Sequence, residues 1–260
     1  MQHDLWLSLF GFIVGLFGTL IGAGGGFILT PVLLLLYPHD SPDTITSISL
    51  SVTFANAFSG SMAYARMGRI DYKYGLIFAG AAIPGAVLGA ISTYYVPRRT
   101  FDLIFAILLA AISIIIFFKT PSGRASHSGN AMVLSFRDLR IGITISLLVG
   151  FVSSFLGIGG GIIHVPALAG ILGFPVHVAT ATSHFILAIV TFVGVAVHVI
   201  TGTFHHGVTR AIFLALGVIL GAQAGALLSS KVEGKVIIRA LSVALALVAM
   251  RLLFLSLKGY

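Results

Sequence analysis

Two glycine clusters, each with a proline behind it, and three histidines in uncharged sequence are the residues here whose types and spacing could do chemistry. The first cluster is Gly22-Ala23-Gly24-Gly25-Gly26, followed by Pro31. The second is Gly157-Ile158-Gly159-Gly160-Gly161, followed by Pro166. Glycine adopts backbone that a helix interior does not keep, and proline removes a helical N–H. Each cluster is therefore expected to break a helix. A helix that restarts after such a break presents unpaired N–H groups, which attract an anion without any basic side chain. Gly24, Gly25 and Gly26, with Gly159, Gly160 and Gly161, are the candidate backbone donors. Close helix packing through small residues is the rival reading, and it suits the scattered Gly11, Gly15, Gly85 and Gly89 better.

The side-chain candidates surround these clusters. Thr30 follows the first break, and Asn56 shares a segment with Ser49, Ser51 and Thr53 at near-helical spacing. Ser183 and His184 end a polar run that begins at Thr180, while His164 lies three residues past the second cluster. Gln223 sits among small residues, and His198 lies near the end of its segment. Buried hydroxyls often do no more than bond a nearby helix carbonyl. An asparagine or glutamine costs more to bury, so Asn56 and Gln223 invite a functional reading. Histidine is the one side chain here that changes charge between pH 5 and 8, so a proton-coupling role is open to it, as is a neutral structural one.

Other chemistries are excluded by what is missing. The seven acids lie in connections or at segment ends, so no buried carboxylate is available for a cation or a carboxylate proton relay. Cysteine is absent. His205 and His206 with His198 lack a credible fourth ligand, so no metal is expected. No Lys-Ser or Lys-Thr follows either glycine cluster and no βαβ unit surrounds them, so neither nucleotide nor other cofactor is implied. With only histidine and hydroxyls left, an enzyme is not expected.

The elements that carry these residues belong in a bilayer. Of 260 residues, 58% are hydrophobic and only 8% charged. No Asp, Glu, Lys or Arg occurs in 5–36, 45–65, 74–97, 103–118 or 141–209. A spanning helix needs about 20 apolar residues, and the alternating segments of a membrane barrel are not present. The net charge of +8 is spread singly or in pairs between apolar runs, which suits an anionic membrane surface and argues against nucleic acid. The chain reads as an all-α polytopic membrane protein with about eight transmembrane segments: 5–36, 45–65, 74–96, 101–118, 139–172, 178–200, 208–229 and 236–257. The first is read as a retained span, not a signal peptide.

Segments 5–36 and 139–172 are too long for one crossing. Thirty-two helical residues reach about 48 Å, against roughly 30 Å of hydrocarbon. Each is read as a span, a break at the glycines and a short helix of about eleven residues. The two are also copies in sequence. Residues 22–31 align with 157–166 at an offset of 135, 46–50 with 180–184 at 134, and 80–86 with 217–223 at 137. The expected organisation is two homologous repeat halves with glycine-broken helices, 1–118 and 139–260, joined by a polar linker at 119–138. Whether the halves are parallel or inverted is open, because basic residues favour one face by roughly two to one either way.

Repeated broken helices near mid-membrane are a transporter signature. The leading function is a secondary carrier for a small anion; an anion channel and a membrane subunit or scaffold without transport of its own are the alternatives. The duplicated glycine segments, the proline after each and the layout of two four-segment halves resemble the TauE/SafE family of sulfite and organosulfonate exporters. The resemblance covers about residues 8–256 and is strongest at 22–31, 157–166 and 181–184. It implies export of a sulfur oxyanion or organosulfonate across the cell inner membrane by a multi-pass protein, without metal or nucleotide. Direction, coupling ion and homo-oligomerisation stay open.

Overall fold

The computed structural model describes residues 5–118, 134–202, 207–229 and 231–232, with helical Val243, Ala246, Leu247 and Met250 beyond them. The linker core at 119–133, the pair His205–His206 and the rest of segment 236–257 lie outside the described residues. The described residues form helices and turns, with no strand among them.

The over-long segments break where the glycines stand. Helix α1 (Leu5–Ile21) stops ahead of the first cluster, and α2 (Gly26–Leu36) restarts after it. Helix α6 (Phe136–Leu156) ends on Gly157 in the left-handed region, and α7 (Gly161–Pro166) restarts after the second cluster. Residues 136–138 of the expected linker are therefore already helical. Pro166 brings no N–H, and the chain widens into a π-helical turn, Ala167–Ile171, where Leu172 N–H reaches back to the Ala167 carbonyl at 3.1 Å.

The remaining helices carry ordinary start signals. Helix α3 (Pro42–Arg66) begins on proline, with Asp43 in its first turn and Arg66 in its last, matching the helix dipole. Asp71 caps α4 (Tyr72–Thr93) by accepting from Tyr74 N–H, and Ser135 caps α6. Helix α5 (Arg98–Phe118) buries Phe101, Phe105 and Leu109 on one stripe and exposes Leu103, Ile104 and Ile107 on the other. Helices α8 (Val176–Ile200) and α9 (Val208–Ser229) complete the described fold. Among the described residues four helices, α4, α6, α8 and α9, are long and apolar enough to cross a membrane; α1, α2 and the run Gly161–Ile171 are shorter apolar helices. Large apolar side chains such as Leu9, Leu88, Ile200 and Leu220 stand exposed, as a lipid-facing surface requires.

Glycines bring the helices close enough to show their directions. In the α1–α9 seam, Gly217 meets Ser8, Gly221 meets Phe12 and Gly225 meets Leu16, so the two helices run parallel. In the α4–α6 seam, Gly142 meets Phe78, Gly85 meets Leu147 and Gly89 meets Phe151, and these also run parallel. A side chain on most of these glycines would strike main chain, which is why both seams use small residues. Helices α3 and α9 are parallel too: Ile48 lies against Gly207, and Ser59 donates to the Ile219 carbonyl. Helices α3 and α8 cross in opposite directions. Leu50 meets Gly194, Phe54 meets Phe192 and Tyr64 meets His184.

These directions oblige the short helices to turn back. With α1 and α3 both parallel to α9, the chain between them must return, and α2 is the element that does so. Its outer end is anchored on the face where α9 starts: Arg98 donates to the Leu34 and Asp40 carbonyls at 2.7 and 2.6 Å. Arg210 pairs with Asp40 and stacks on Tyr37 at 3.7 Å. Arg98, Arg99 and Arg210 mark this face, while Arg66, Arg69, Lys73, Arg137, Arg140 and Lys231 mark the opposite one. A chain without cysteine makes this easy to test. Single cysteines at exposed Phe136 and Tyr95 should react with a membrane-impermeant maleimide from opposite sides; labelling of both from one side would contradict the described helix directions.

Candidate functional site

The two glycine breaks meet at the centre of the molecule, where α3 and α8 cross. Gly24, Gly25, Gly159 and Gly160 all have φ between 74° and 84°. That left-handed backbone is open to glycine and costs other residues about 1–2 kcal/mol. Gly25 and Gly160 stand at the N-cap positions of α2 and α7, and no side chain caps either helix. Each restart lies against the other break. Gly26 approaches the carbonyls of Gly157 and Ile158, and Gly161 approaches the Gly22 carbonyl and Ala23. Between them Thr53 and Leu187 touch both Gly24 and Gly159.

Hydroxyls from the crossing helices satisfy the broken backbone. Ser49 of α3 donates to the Gly157 carbonyl at 2.6 Å, and Ser183 of α8 donates to the Gly22 carbonyl at 3.3 Å. The same exchange thus occurs at both breaks with the sequence offset of the glycine clusters. Thr30 reaches the Gly157 carbonyl at 2.9 Å and Ser49 at 2.8 Å, so it clamps the second break.

A polar chain runs beside the first break. His184 Nε2 lies 3.2 Å from Thr19 Oγ1, which donates to Asn56 Oδ1. Tyr64 donates to the Thr19 carbonyl at 2.8 Å. Gly60 makes room for the imidazole, since a Cβ there would lie 2.6 Å from His184 Cδ2. Several polar atoms around the breaks have no hydrogen-bond partner among the described residues: Thr53 Oγ1, Asn56 Nδ2, Ser153 Oγ, Ser154 Oγ and Thr180 Oγ1. Each such group costs about 1–3 kcal/mol when buried unpaired.

A match by family profile agrees with this arrangement: the profile described as "Sulfite exporter TauE/SafE" covers residues 7–252. The chain belongs to the TauE/SafE family. It is 30% identical to the "Probable membrane transporter protein YunE" of Bacillus subtilis, over 95% of this chain and 96% of that protein. A "Probable membrane transporter protein" of Methanocaldococcus jannaschii is 26% identical over 88% of this chain and 87% of its own. A shorter stretch, 42% of this chain and 20% of the other, is 38% identical to "Sulfite exporter TauE/SafE family protein 3" of Arabidopsis thaliana. No solved structure matches. TauE/SafE is a family of membrane transporters and not of enzymes.

Within this TauE/SafE chain, the residues singled out in the sequence divide into two groups. Gly24, Gly25, Gly26, Gly159, Gly160, Gly161, Thr30, Asn56, Ser183 and His184 come together around the breaks, but Gly24 and Gly161 are not free donors, because their N–H groups already go to the Gly18 and Gly159 carbonyls at 3.1 and 3.0 Å. His164 and Gln223 do not join them. His164 faces Ser146 of α6 at 3.2 Å, on the outer side of α7. Gln223 donates its amide to the Ser59 carbonyl and hydroxyl, at 2.7 and 2.9 Å, in the α3–α9 seam. His198 lines a separate cavity of about 290 Å³ with Asp43, Tyr94, Tyr95 and Thr201. Thr19 and Tyr64 belong to the central network without having been candidates. Thr19 is a lone hydroxyl in an apolar run, and only its position three residues ahead of the first cluster could have pointed to it.

The left-handed glycines can be ranked by what surrounds them. Gly68 has φ +63° and nothing within 4 Å of a Cβ, whereas a Cβ on Gly25 would lie 2.7 Å from Val14. Replacing Gly68 with alanine should cost about 1–2 kcal/mol from backbone strain alone. Gly25→Ala should cost a further 1–3 kcal/mol or so through overpacking. Thermal melting in detergent compares the two, and equal losses would show that the break is not tightly packed.

Proposed function

We propose that this chain is a secondary carrier that exports a small anion, a sulfur oxyanion or an organosulfonate, across the cell inner membrane. The observation that carries this reading is the meeting of two uncapped helix starts inside the protein, among neutral donors. A helix start favours negative charge through its free N–H groups. The described acids stay away from the breaks: Asp102 pairs with Arg98 and Asp40 with Arg210, both at the outer end of α2. A cation would find no carboxylate at the crossing, only the carbonyls freed where α1 and α6 end, and hydroxyls already occupy those of Gly22 and Gly157.

The two halves are homologous and inverted in this reading. Matching hydrogen bonds at the two breaks and the antiparallel crossing of α3 and α8 support it, because halves related by an axis along the membrane normal would set those helices parallel. The face with Arg66, Arg69, Lys73, Arg137 and Arg140 is cytoplasmic by the positive-inside rule. The seams bind α1 and α3 to α9, and α4 to α6 and α8, so alternating access then consists of these two interlocked bodies rocking against each other about the paired breaks. His184 is the group through which a proton gradient would act, since its imidazole joins the polar chain at the first break.

Flux into proteoliposomes tests the reading. Radiolabelled sulfite, sulfate, thiosulfate, taurine and sulfoacetate are offered with and without an imposed proton gradient. Saturable uptake of at least one is expected, and Gly160→Leu should abolish it while the protein still inserts. Absence of flux for all of them by folded protein, or unsaturable conduction, would refute a carrier for sulfur anions.

A further inference from the structure

The polar surroundings of the two breaks are unequal. At the start of α2, Asn56 Nδ2 lies 3.1 Å from where a Cβ on Gly25 would stand, and Thr53 Oγ1 lies 2.7 Å from the same point on Gly26. Both residues are at most 1% exposed, and neither atom has a partner among the described residues. Thr19 has a single hydroxyl hydrogen, which goes to Asn56 Oδ1. With that hydrogen on Asn56 Oδ1, the Nε2–H tautomer of His184 is the one that completes the chain, by donating to Thr19 Oγ1. The chain His184, Thr19, Asn56 is thus directional, and it locks the amide with its N–H groups turned toward the break. A helical serine or threonine can rotate its hydroxyl onto a carbonyl of its own helix. A locked amide has no such escape.

At the second break the corresponding positions, 134 residues further on, are Leu187 for Thr53 and Val190 for Asn56. The place of His184 beside Gly60 is taken by Leu50 beside Gly194. The start of α7 has one unpartnered buried hydroxyl, Ser153 Oγ, 3.2 Å from where a Cβ on Gly160 would stand, and a helical serine can turn it onto its own helix; neither an amide nor an imidazole serves that side. The helix that restarts there is also only 6 residues long before the π-helical turn, against 11 for α2.

All the donors at the α2 start are neutral. Desolvation of an ion scales with the square of its charge, so a dianion loses about four times as much solvation as a monoanion of the same size. Attraction to neutral N–H and O–H donors grows only in proportion to the charge, so in a site closed to water the balance favours the monoanion. We infer that each chain binds one monoanionic oxyanion head group, of the sulfonate type, at the start of α2, selected by Asn56 Nδ2 and Thr53 Oγ1. The inference rests on the anion-carrier reading and narrows it to one site and one charge. The packing around Gly25 and Gly26 is closed in this conformation, so the head group enters as the crossing of α3 and α8 opens.

Calorimetric titration of the purified chain in nanodiscs tests this, with methanesulfonate and sulfate as probes. The expected result is one methanesulfonate per chain, bound at least about tenfold more tightly than sulfate. Asn56→Asp keeps the shape and the bond from Thr19 but turns a donor into a negative acceptor, and should weaken binding by about thirtyfold or more. Thr53→Val, also isosteric, should weaken it about fivefold to tenfold, and Thr53→Ser should restore it. The valine–serine pair decides the matter if the aspartate variant does not fold. Two anions per chain, a preference for sulfate, or indifference to the Thr53 and Asn56 variants while the parent chain binds would each overturn the single-site inference and leave the carrier reading standing. A folded parent chain that binds neither probe, and carries none of the sulfur anions in proteoliposomes, would overturn both.

Discussion

Backbone broken inside a membrane protein must find partners within the protein, and the rest of this fold follows from that need. Lipid offers no hydrogen bonds, so a carbonyl freed at a glycine cluster has to be met by a side chain from elsewhere in the chain. Ser49 meets Gly157 and Ser183 meets Gly22, each reaching from a crossing helix to the break in the other part of the sequence. The breaks are consequently held together, and α3 and α8 are brought into the centre. This also accounts for the composition of α3. Its serines, threonines and asparagine would be a poor lipid surface, but the helix is buried over most of its length.

The long seams serve the same end. Parallel packing of α1 on α9 and of α4 on α6 fastens elements that are far apart in sequence, through glycines that let main chain approach main chain. Neither seam passes through the breaks. Seams and breaks are therefore made by different glycines: those in ordinary helical backbone make the seams, and Gly22, Gly24, Gly25, Gly157, Gly159 and Gly160, with positive φ, make the breaks. A frame that is rigid on both flanks and broken at its centre suits a protein whose two parts rock about a fixed point.

The centre itself is asymmetric. Matching serines tie the two breaks, but the amide, the imidazole and the tyrosine hydroxyl all serve the first. A centre tied alike at both breaks by its serines can carry different polar groups at each while those backbone hydrogen bonds are kept. The anchoring of α2 by Arg98 and Arg210 fits with this, since it steadies the outer end of the short helix whose start the polar cluster surrounds.

Much of this was legible in the sequence because it depends on local chemistry. Charge-free runs dictate membrane helices, glycine clusters dictate breaks, and the lengths of 5–36 and 139–172 require a short helix after each break; α2 and the run Gly161–Ile171 are those helices. The candidate residues nearest the breaks, from Gly24 to His184, could be named from their spacing alone. Direction and partnership could not. Basic residues favour the same face for a returning short helix as for a crossing one, and only the packing of α1, α3 and α9 side by side makes α2 return. His164 and Gln223 look as promising as His184 and Asn56 by type and position, yet one faces Ser146 and the other Ser59. Which face of a helix looks inward is decided by its neighbours, and in a chain this uniformly apolar no periodicity records it. Thr19 shows the same limit from the other side: one hydroxyl in a greasy helix becomes the link between an imidazole and an amide only once three helices have met around it.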